Sequence, residues 1–156
     1  MTTTLAPDLA APASGRLQLA LNVDNLDDAI AFYTKMFGTA PVKVKDGYAN
    51  FAIAEPPLKL VLFSGVGEPG TLNHLGVEVV SADAVAAADV RLSAEGLATT
   101  DVSETTCCFA AKTETWLEAP DGQRWEWYVK HDDIDEFGHE VAVGPIPSAS
   151  ATTCCP

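Results

Sequence analysis

The sequence predicts an α+β fold built from two βαβββ modules packed side by side. Three observations lead to this prediction. Residues 18–23 align without a gap on residues 74–79, and both segments alternate polar and apolar residues as half-buried strands do. Each segment leads into a stretch with an apolar stripe at helical spacing. Each helix is followed by three further strand-like runs, so both halves have the same order of elements.

The first half begins with the strand at residues 18–23. An apolar stripe then runs from Leu26 to Phe37 and predicts a helix. Asn25 or Asp24 supplies its N-cap, and Gly38 ends it. Strand-like runs follow at residues 41–45, 48–54 and 59–64.

The second half repeats this order from the strand at residues 74–79. Its helix carries a stripe of Val85, Ala88 and Leu92, with Ser81 as cap and Gly96 at the end. Strand-like runs follow at residues 99–102, about 110–117, and 124–129, and a turn at 119–122 joins the last two.

The length of 156 residues suits one domain. Both ends lack any periodic pattern that could be buried. We therefore expect a flexible N-terminal extension at 1–15 and a domain at 16–131, with modules of about 16–66 and 72–131. A disordered, acidic tail that ends in cysteines is expected at 132–156.

The charge excludes some classes of partner. The chain has 22 acidic residues against 9 Lys and Arg, a formal charge of −13, and a pI near 4.3. Nucleic acid and anionic membranes are therefore not expected as partners. No apolar run approaches the roughly 18 residues that cross a bilayer. Residues 1–15 lack the basic start of a secretory signal. These features predict a cytoplasmic protein.

Strand alternation brings three polar residues to the concave side of the sheet. Gln18, His74 and Glu126 share this face in the first, fifth and last strands. A buried carboxylate needs a partner, and an imidazole, a carboxylate and an amide oxygen around an open metal would provide one. Alternatively, His74 is an ordinary core histidine and Glu126 pairs with Arg124 or a lysine. The repeat favours the metal, because Gln18 and His74 occupy equivalent positions.

The four cysteines form two adjacent pairs, Cys107-Cys108 and Cys154-Cys155, each preceded by two threonines. In an apparently cytosolic chain this pattern favours thiol chemistry over structural disulfides. Two alternatives remain open. Cys107 and Cys108 could be small apolar packing residues, and the second pair could belong to a dispensable extension.

Several segments together resemble the vicinal oxygen chelate superfamily, which includes glyoxalase I, extradiol dioxygenases, and fosfomycin and bleomycin resistance proteins. The resemblance covers roughly residues 16–130. Its members place metal ligands on the first, fifth and last strands, where Gln18, His74 and Glu126 lie. Besides the paired βαβββ plan, the segments are Phe32-Tyr33 with Phe37-Gly38, Asn73-His74-Leu75-Gly76, Pro120-Asp121-Gly122 and Trp125-Glu126.

Within that superfamily, the Thr105-Thr106-Cys107-Cys108 segment, the cysteine-rich end and the strand at 48–51 resemble the C–As lyases. These are Fe(II)- and O₂-dependent enzymes that cleave the carbon–arsenic bond of trivalent organoarsenicals. The resemblance implies Fe(II), or another divalent metal in its place, on Gln18, His74 and Glu126. It implies O₂ as co-substrate and a small methyl or aryl arsenical as substrate. It is also compatible with a homodimer, because this fold pairs modules within or between chains.

Trivalent arsenic binds sulfur strongly, and a monosubstituted arsenical has two valences left. Cys107 and Cys108 would fill both valences and fix the orientation of the organic group. Cys154 and Cys155 are expected as an accessory arsenic site. The products would be arsenite and an oxidised carbon fragment, which would give arsenic resistance. Two other functions remain open: a glyoxalase-like or extradiol dioxygenase metal enzyme of the same fold, and a non-catalytic resistance protein that sequesters a thiophilic toxin.

Overall fold

The computed structural model describes residues 4–135 and contains one eight-stranded mixed sheet with two helices. Neither of the two helices in this part of the chain is long and apolar enough to cross a membrane. The strands follow the spatial order β2-β3-β4-β1-β5-β8-β7-β6. In chain order the elements are β1 (Arg16–Val23), α1 (Leu26–Phe37), β2 (Lys43–Lys45), β3 (Tyr48–Ile53), β4 (Leu58–Ser64), β5 (Leu72–Glu78), α2 (Ala82–Ala94), β6 (Ser103–Cys107), β7 (Ala110–Glu118) and β8 (Arg124–Asp133).

The predicted plan of two βαβββ modules is confirmed. The strands β1 to β4 with α1 form one module, and β5 to β8 with α2 form the other. The two modules meet where β1 pairs antiparallel with β5, with Leu19 opposite Leu75. In each module the first strand pairs in parallel with the last, β1 with β4 and β5 with β8. This pseudo-twofold arrangement places Gln18 and His74 on adjacent strands at the centre of the sheet.

The helix ends follow the local sequence signals. The Asn25 side chain accepts a hydrogen bond from the Asp28 amide at the start of α1, and Gly38 ends that helix at φ 63°. Ser81 caps α2 by accepting from the Ala84 amide. Because α1 packs on one face of β3 and β4 and α2 on β7 and β8, the concave face stays free for a cleft.

The prediction for the sixth strand is wrong. The strand lies at Ser103–Cys107 and not at residues 99–102. Asp101 adopts φ 61°, which interrupts an extended run. Pairing with β7 then begins at Ser103. Cys107 is therefore the last residue of a strand.

The N-terminal segment of residues 4–15 forms no helix or strand but contacts both modules. The Ala6 amide donates to the Pro41 carbonyl at 3.0 Å. Asp8 pairs with Lys59 on β4 at 3.3 Å and with Lys130 on β8. This segment therefore joins the two halves of the sheet on the cleft side, since both lysines line the cleft.

Candidate functional site

One cavity on the concave face brings together the two groups of residues singled out in the sequence. Its lining includes Gln18, His74 and Glu126 together with Cys107 and Cys108. The side chains of these residues are almost fully withdrawn from solvent. The expected accessory residues Cys154 and Cys155 lie outside the described residues.

Gln18, His74 and Glu126 converge at a single point. Gln18 Nε2 lies 3.0 Å from His74 Nε2 and donates to Glu126 Oε1 at 2.5 Å. His74 Nε2 lies 3.4 Å from Glu126 Oε1. Alternation on three strands explains this meeting, because β1, β5 and β8 are consecutive neighbours in the sheet.

Gly76 makes the room in which these side chains meet. It lies on β5, opposite Gln18 on β1 and Glu126 on β8. A Cβ at this position would lie 2.9 Å from Glu126 Cγ and 3.3 Å from Gln18 Cβ. Only glycine therefore leaves Glu126 in its place.

Each of the three side chains is fixed by a further hydrogen bond. His74 Nδ1 lies 2.8 Å from Asn73 Oδ1, so Nδ1 carries the proton and Nε2 presents a lone pair toward the cavity. Tyr128 donates its hydroxyl proton to Gln18 Oε1 at 2.5 Å. Lys112 Nζ donates to Glu126 Oε2 at 2.9 Å, which leaves Oε1 directed at the other two side chains.

The donor set fits a divalent metal ion. In an octahedral site with bonds of about 2.1 Å, neighbouring ligand atoms lie about 3 Å apart, and the three observed separations span 2.5 to 3.4 Å. A half-turn of the Gln18 amide presents its oxygen instead of its nitrogen, and the Tyr128 hydroxyl then accepts from Nε2. No group of three His, Cys, Asp or Glu side chains forms a metal site within residues 4–135. A metal at this point therefore depends on the Gln18 amide.

A buried charge cluster keeps Glu126 ionised. Burial by itself would raise the pKa of Glu126, but the Lys112 ammonium and His74 hold that pKa well below its usual range. Lys112 also forms an ion pair with Glu114 at 3.2 Å. Burial raises the pKa of Glu114 even though Lys112 opposes the shift. Glu126 is therefore the carboxylate available to a cation.

The cysteine pair is part of a tight hairpin turn. Cys107 ends β6 opposite Ala110 on β7, and Cys108 and Phe109 form the two-residue connection. Their φ values are 53° and 61°. Positive φ at both central residues defines a type I′ turn, which normally selects Asn and Gly. The turn holds the two Sγ atoms 3.1 Å apart, in contact but not bonded to each other.

Contacts from both modules hold this strained turn in place. The Phe109 carbonyl accepts from Lys43 Nζ at 2.8 Å and from the Ile134 amide at 3.0 Å. The Phe109 ring packs on the Tyr48 ring with 4.9 Å between centroids. Lys43 and Tyr48 belong to the first module, so the position of the cysteines depends on the contact between modules.

Both cysteines are disulfide-bonded in this structure, whereas the sequence favoured thiol chemistry. Binding of arsenic by sulfur therefore requires the reduced form of the pair.

Several residues of the cavity were not assigned a role from the sequence. Lys112 and Tyr128 fix the orientation of Glu126 and Gln18, and Tyr48 and Asn50 form a further wall. Their alternation on β7, β8 and β3 places them on the concave face. The hydrogen bonds that give them a role join distant parts of the chain, so no local pattern could have identified them.

Comparison with known proteins places this geometry in a family. Residues 15–127 match the family model of the Glyoxalase/Bleomycin resistance protein/Dioxygenase superfamily. The cadmium-induced protein CadI of Mycobacterium tuberculosis is 50% identical over 140 residues, which cover 90% of this chain and 92% of that protein. A trivalent organoarsenical cleaving enzyme of Thermomonospora curvata is 48% identical over 141 residues, covering 90% of this chain and 87% of that enzyme.

A solved structure supports the same fold. The Mn(II)-bound glyoxalase of Novosphingobium aromaticivorans superposes with a TM-score of 0.54 at 18% identity. The match covers 78% of this chain and 43% of that one. At this identity the likeness concerns the fold alone, and it agrees with the predicted vicinal oxygen chelate architecture.

Proposed function

The chain belongs to the glyoxalase/bleomycin resistance protein/dioxygenase superfamily, and from this membership and its site we propose that it cleaves the carbon–arsenic bond of trivalent organoarsenicals. The products are arsenite and an oxidised carbon fragment, and Fe(II) and O₂ take part. A relative that is 48% identical is named a trivalent organoarsenical cleaving enzyme, which supports the proposal.

One observation carries the proposal. A vicinal cysteine pair and a Gln, His and Glu set line the same buried cavity. Superfamily membership alone would fit many reactions, because one fold hosts many chemistries. The cavity combines sulfur ligands for arsenic with oxygen and nitrogen ligands for a metal. Among the reactions of the superfamily, this combination supports one at a carbon bound to arsenic.

Cys107 and Cys108, in their reduced form, bind the arsenic. Two thiols displace both hydroxyls of a monosubstituted arsenical, and two water molecules leave. The organic group then projects from an arsenic atom that the rigid turn holds in a fixed place. The aromatic rings of Tyr48 and Phe63, 5.5 Å apart and buried in the same cluster as the cysteines, exclude water from this part of the cavity.

Gln18, His74 and Glu126 hold the metal, with Asn73, Tyr128 and Lys112 keeping each side chain in place. Fe(II), when bound, supplies the redox chemistry through which O₂ oxidises the carbon. With only three protein ligands, the metal would remain accessible to other groups. The protein itself contributes ligation, orientation of the arsenical and a sheltered cavity.

The test is anaerobic reconstitution of the reduced full-length chain with Fe(II) and methylarsonous acid, followed by admission of air. Arsenite is expected only after O₂ enters. Glu126→Gln should abolish turnover and still bind the arsenical, whereas the Cys107→Ser, Cys108→Ser double variant should lose binding. The exposed Glu104→Gln variant on β6 is the matched control and should behave as the wild type.

Other outcomes would assign another function. Turnover of a different substrate that survives in the double serine variant favours a glyoxalase-like or extradiol dioxygenase reaction. Stoichiometric binding without product and without O₂ uptake favours sequestration of a thiophilic toxin. Because one relative is named a cadmium-induced protein, cadmium is a suitable probe for this sequestration function. Cadmium binding that competes with the arsenical, together with no turnover, would support it.

A further inference from the structure

A pair of polar side chains forms part of the cavity wall on β3. Tyr48 and Asn50 are two residues apart and therefore share the concave face. They are 4% and 5% exposed, and both line the cavity. Asn50 Nδ2 donates to the Tyr48 hydroxyl oxygen at 2.7 Å.

This contact leaves one acceptor and one donor unused. Asn50 Oδ1 is buried and has no hydrogen-bond partner within the described residues. The Tyr48 hydroxyl accepts from Asn50 and still carries its own proton. If the amide is turned by 180°, the phenol donates to Oδ1 instead. The unused donor is then the amide N–H, and the unused acceptor is the phenol oxygen, so the pair offers a ligand one of each in either orientation. Buried polar atoms are rarely left unpaired, which indicates that a ligand completes them.

The Tyr48 phenol stays protonated throughout the physiological range. Burial raises its pKa to about 12, despite the opposing hydrogen bond from Asn50. It can therefore donate to a neutral ligand group.

The pair also lies beside the cysteines. Tyr48 belongs to the same buried cluster as Cys107 and Cys108. Its ring packs against Phe109, the residue next to Cys108 in the turn. All of these side chains except Phe109 line the one cavity.

We propose that Tyr48 and Asn50 form a binding subsite for a hydroxyl group on arsenic that is held by Cys107 and Cys108. The proposal rests on the proposed role of the cysteine pair. A hydroxyl both donates and accepts, and so matches the unused atoms of the pair.

Valence decides which arsenical carries that hydroxyl. Arsenite, As(OH)₃, reacts with two thiols to give a dithiolate that retains one As–OH, and two water molecules leave. Methylarsonous acid, CH₃As(OH)₂, reacts in the same way but retains only its methyl group. The third substituent on arsenic is therefore a hydroxyl in the bound inorganic product and a carbon in the bound substrate. The subsite distinguishes the two because it forms hydrogen bonds with the hydroxyl only.

The test compares binding of arsenite and of methylarsonous acid to the reduced full-length chain. Equilibrium dialysis under argon, without iron, measures both Kd values while turnover is prevented. Tyr48→Phe and Asn50→Leu should each raise the Kd of arsenite by about 3- to 10-fold, the effect of one lost hydrogen bond. The Kd of methylarsonous acid should stay within about twofold. Tyr33→Phe on α1 is the matched control and should change neither.

Thermal unfolding of each variant checks its fold. Tyr48→Phe keeps the ring that packs on Phe63 and Phe109, and Asn50→Leu tests the subsite independently of that ring. Equal weakening of both arsenicals, or an unchanged Kd for arsenite, would overturn the subsite. A wild type that binds neither arsenical would instead refute the role of the cysteines. Binding of both with the expected difference, but no turnover with Fe(II) and air, would refute the lyase and leave the subsite standing.

Discussion

Replacing Gly76 by alanine should damage the metal site while the fold survives. The added Cβ would lie 2.9 Å from Glu126 Cγ, 3.2 Å from the Glu126 carbonyl oxygen and 3.3 Å from Gln18 Cβ. Real Cβ atoms essentially never come within 3.0 Å of such an atom, so Glu126 must move. It is 1% exposed and fixed by Lys112, which leaves it little space for the shift.

Overpacking of this kind costs about 1–3 kcal/mol of unfolding free energy. Displacing one ligand side chain should lower metal affinity by about 10- to 100-fold, as the loss of a ligand's supporting contact does. Urea unfolding measures the first quantity, and titration with Mn(II) followed by electron paramagnetic resonance measures the second.

The repeat provides a matched control. Ala20 occupies the position in β1 that Gly76 occupies in β5, because residues 18–23 align with residues 74–79. Ala20→Gly removes a buried methyl group and should cost about 1 kcal/mol in stability, with Mn(II) affinity retained. If Gly76→Ala binds Mn(II) within twofold of the wild type at unchanged stability, the reasoning about this contact is wrong.

Three further predictions concern other contacts. Lys43→Met should weaken binding of arsenicals to the reduced chain by about 3- to 10-fold, because the strained cysteine turn loses a hydrogen bond. Its Mn(II) affinity should not change. Lys45→Met, which removes a neighbouring ion pair, should change neither arsenical binding nor Mn(II) affinity. Tyr128→Phe should lower Mn(II) affinity by about 3- to 10-fold in the same titration, because Gln18 loses the hydrogen bond from the Tyr128 hydroxyl that orients its amide. Burial by itself would raise the pKa of Asp8, but two lysines hold it below its usual value. Asp8→Asn should therefore lower stability by less than about 1 kcal/mol near neutral pH, and urea unfolding at a series of pH values should show this difference disappear as the pH falls through the folded pKa, below 3.8.

Local sequence signals predicted the parts of the fold that local physics controls. Asn25, Gly38 and Ser81 marked helix ends correctly, because capping depends on backbone groups within one turn. The period-two pattern of the central strands predicted that Gln18 and His74 share a face, and the structure places their nitrogen atoms 3.0 Å apart.

The errors occur where the backbone departs from residue preference. Asp101 adopts a left-handed conformation that no neighbouring sequence signal predicts. The sixth strand therefore lies at Ser103–Cys107. Cys108 and Phe109 form a type I′ turn without the Asn or Gly that usually marks one. A hydrogen bond from Lys43 and contacts with other distant parts of the chain hold that turn in place. Such contacts cannot be deduced from the sequence of the turn itself.

Patterns along the chain were therefore enough to predict the two-module plan, the helix ends and the face on which the polar residues of β1, β5 and β8 lie. These features follow from side-chain periodicity and from an internal repeat, and both can be read directly from the linear sequence. Folding of the whole chain brings the cysteine turn into the same cavity as Gln18, His74 and Glu126, which no local pattern predicted. Folding also sets which neighbours orient these side chains and which polar atoms of Tyr48 and Asn50 remain for a ligand. These relations depend on packing between modules, which joins residues far apart in sequence.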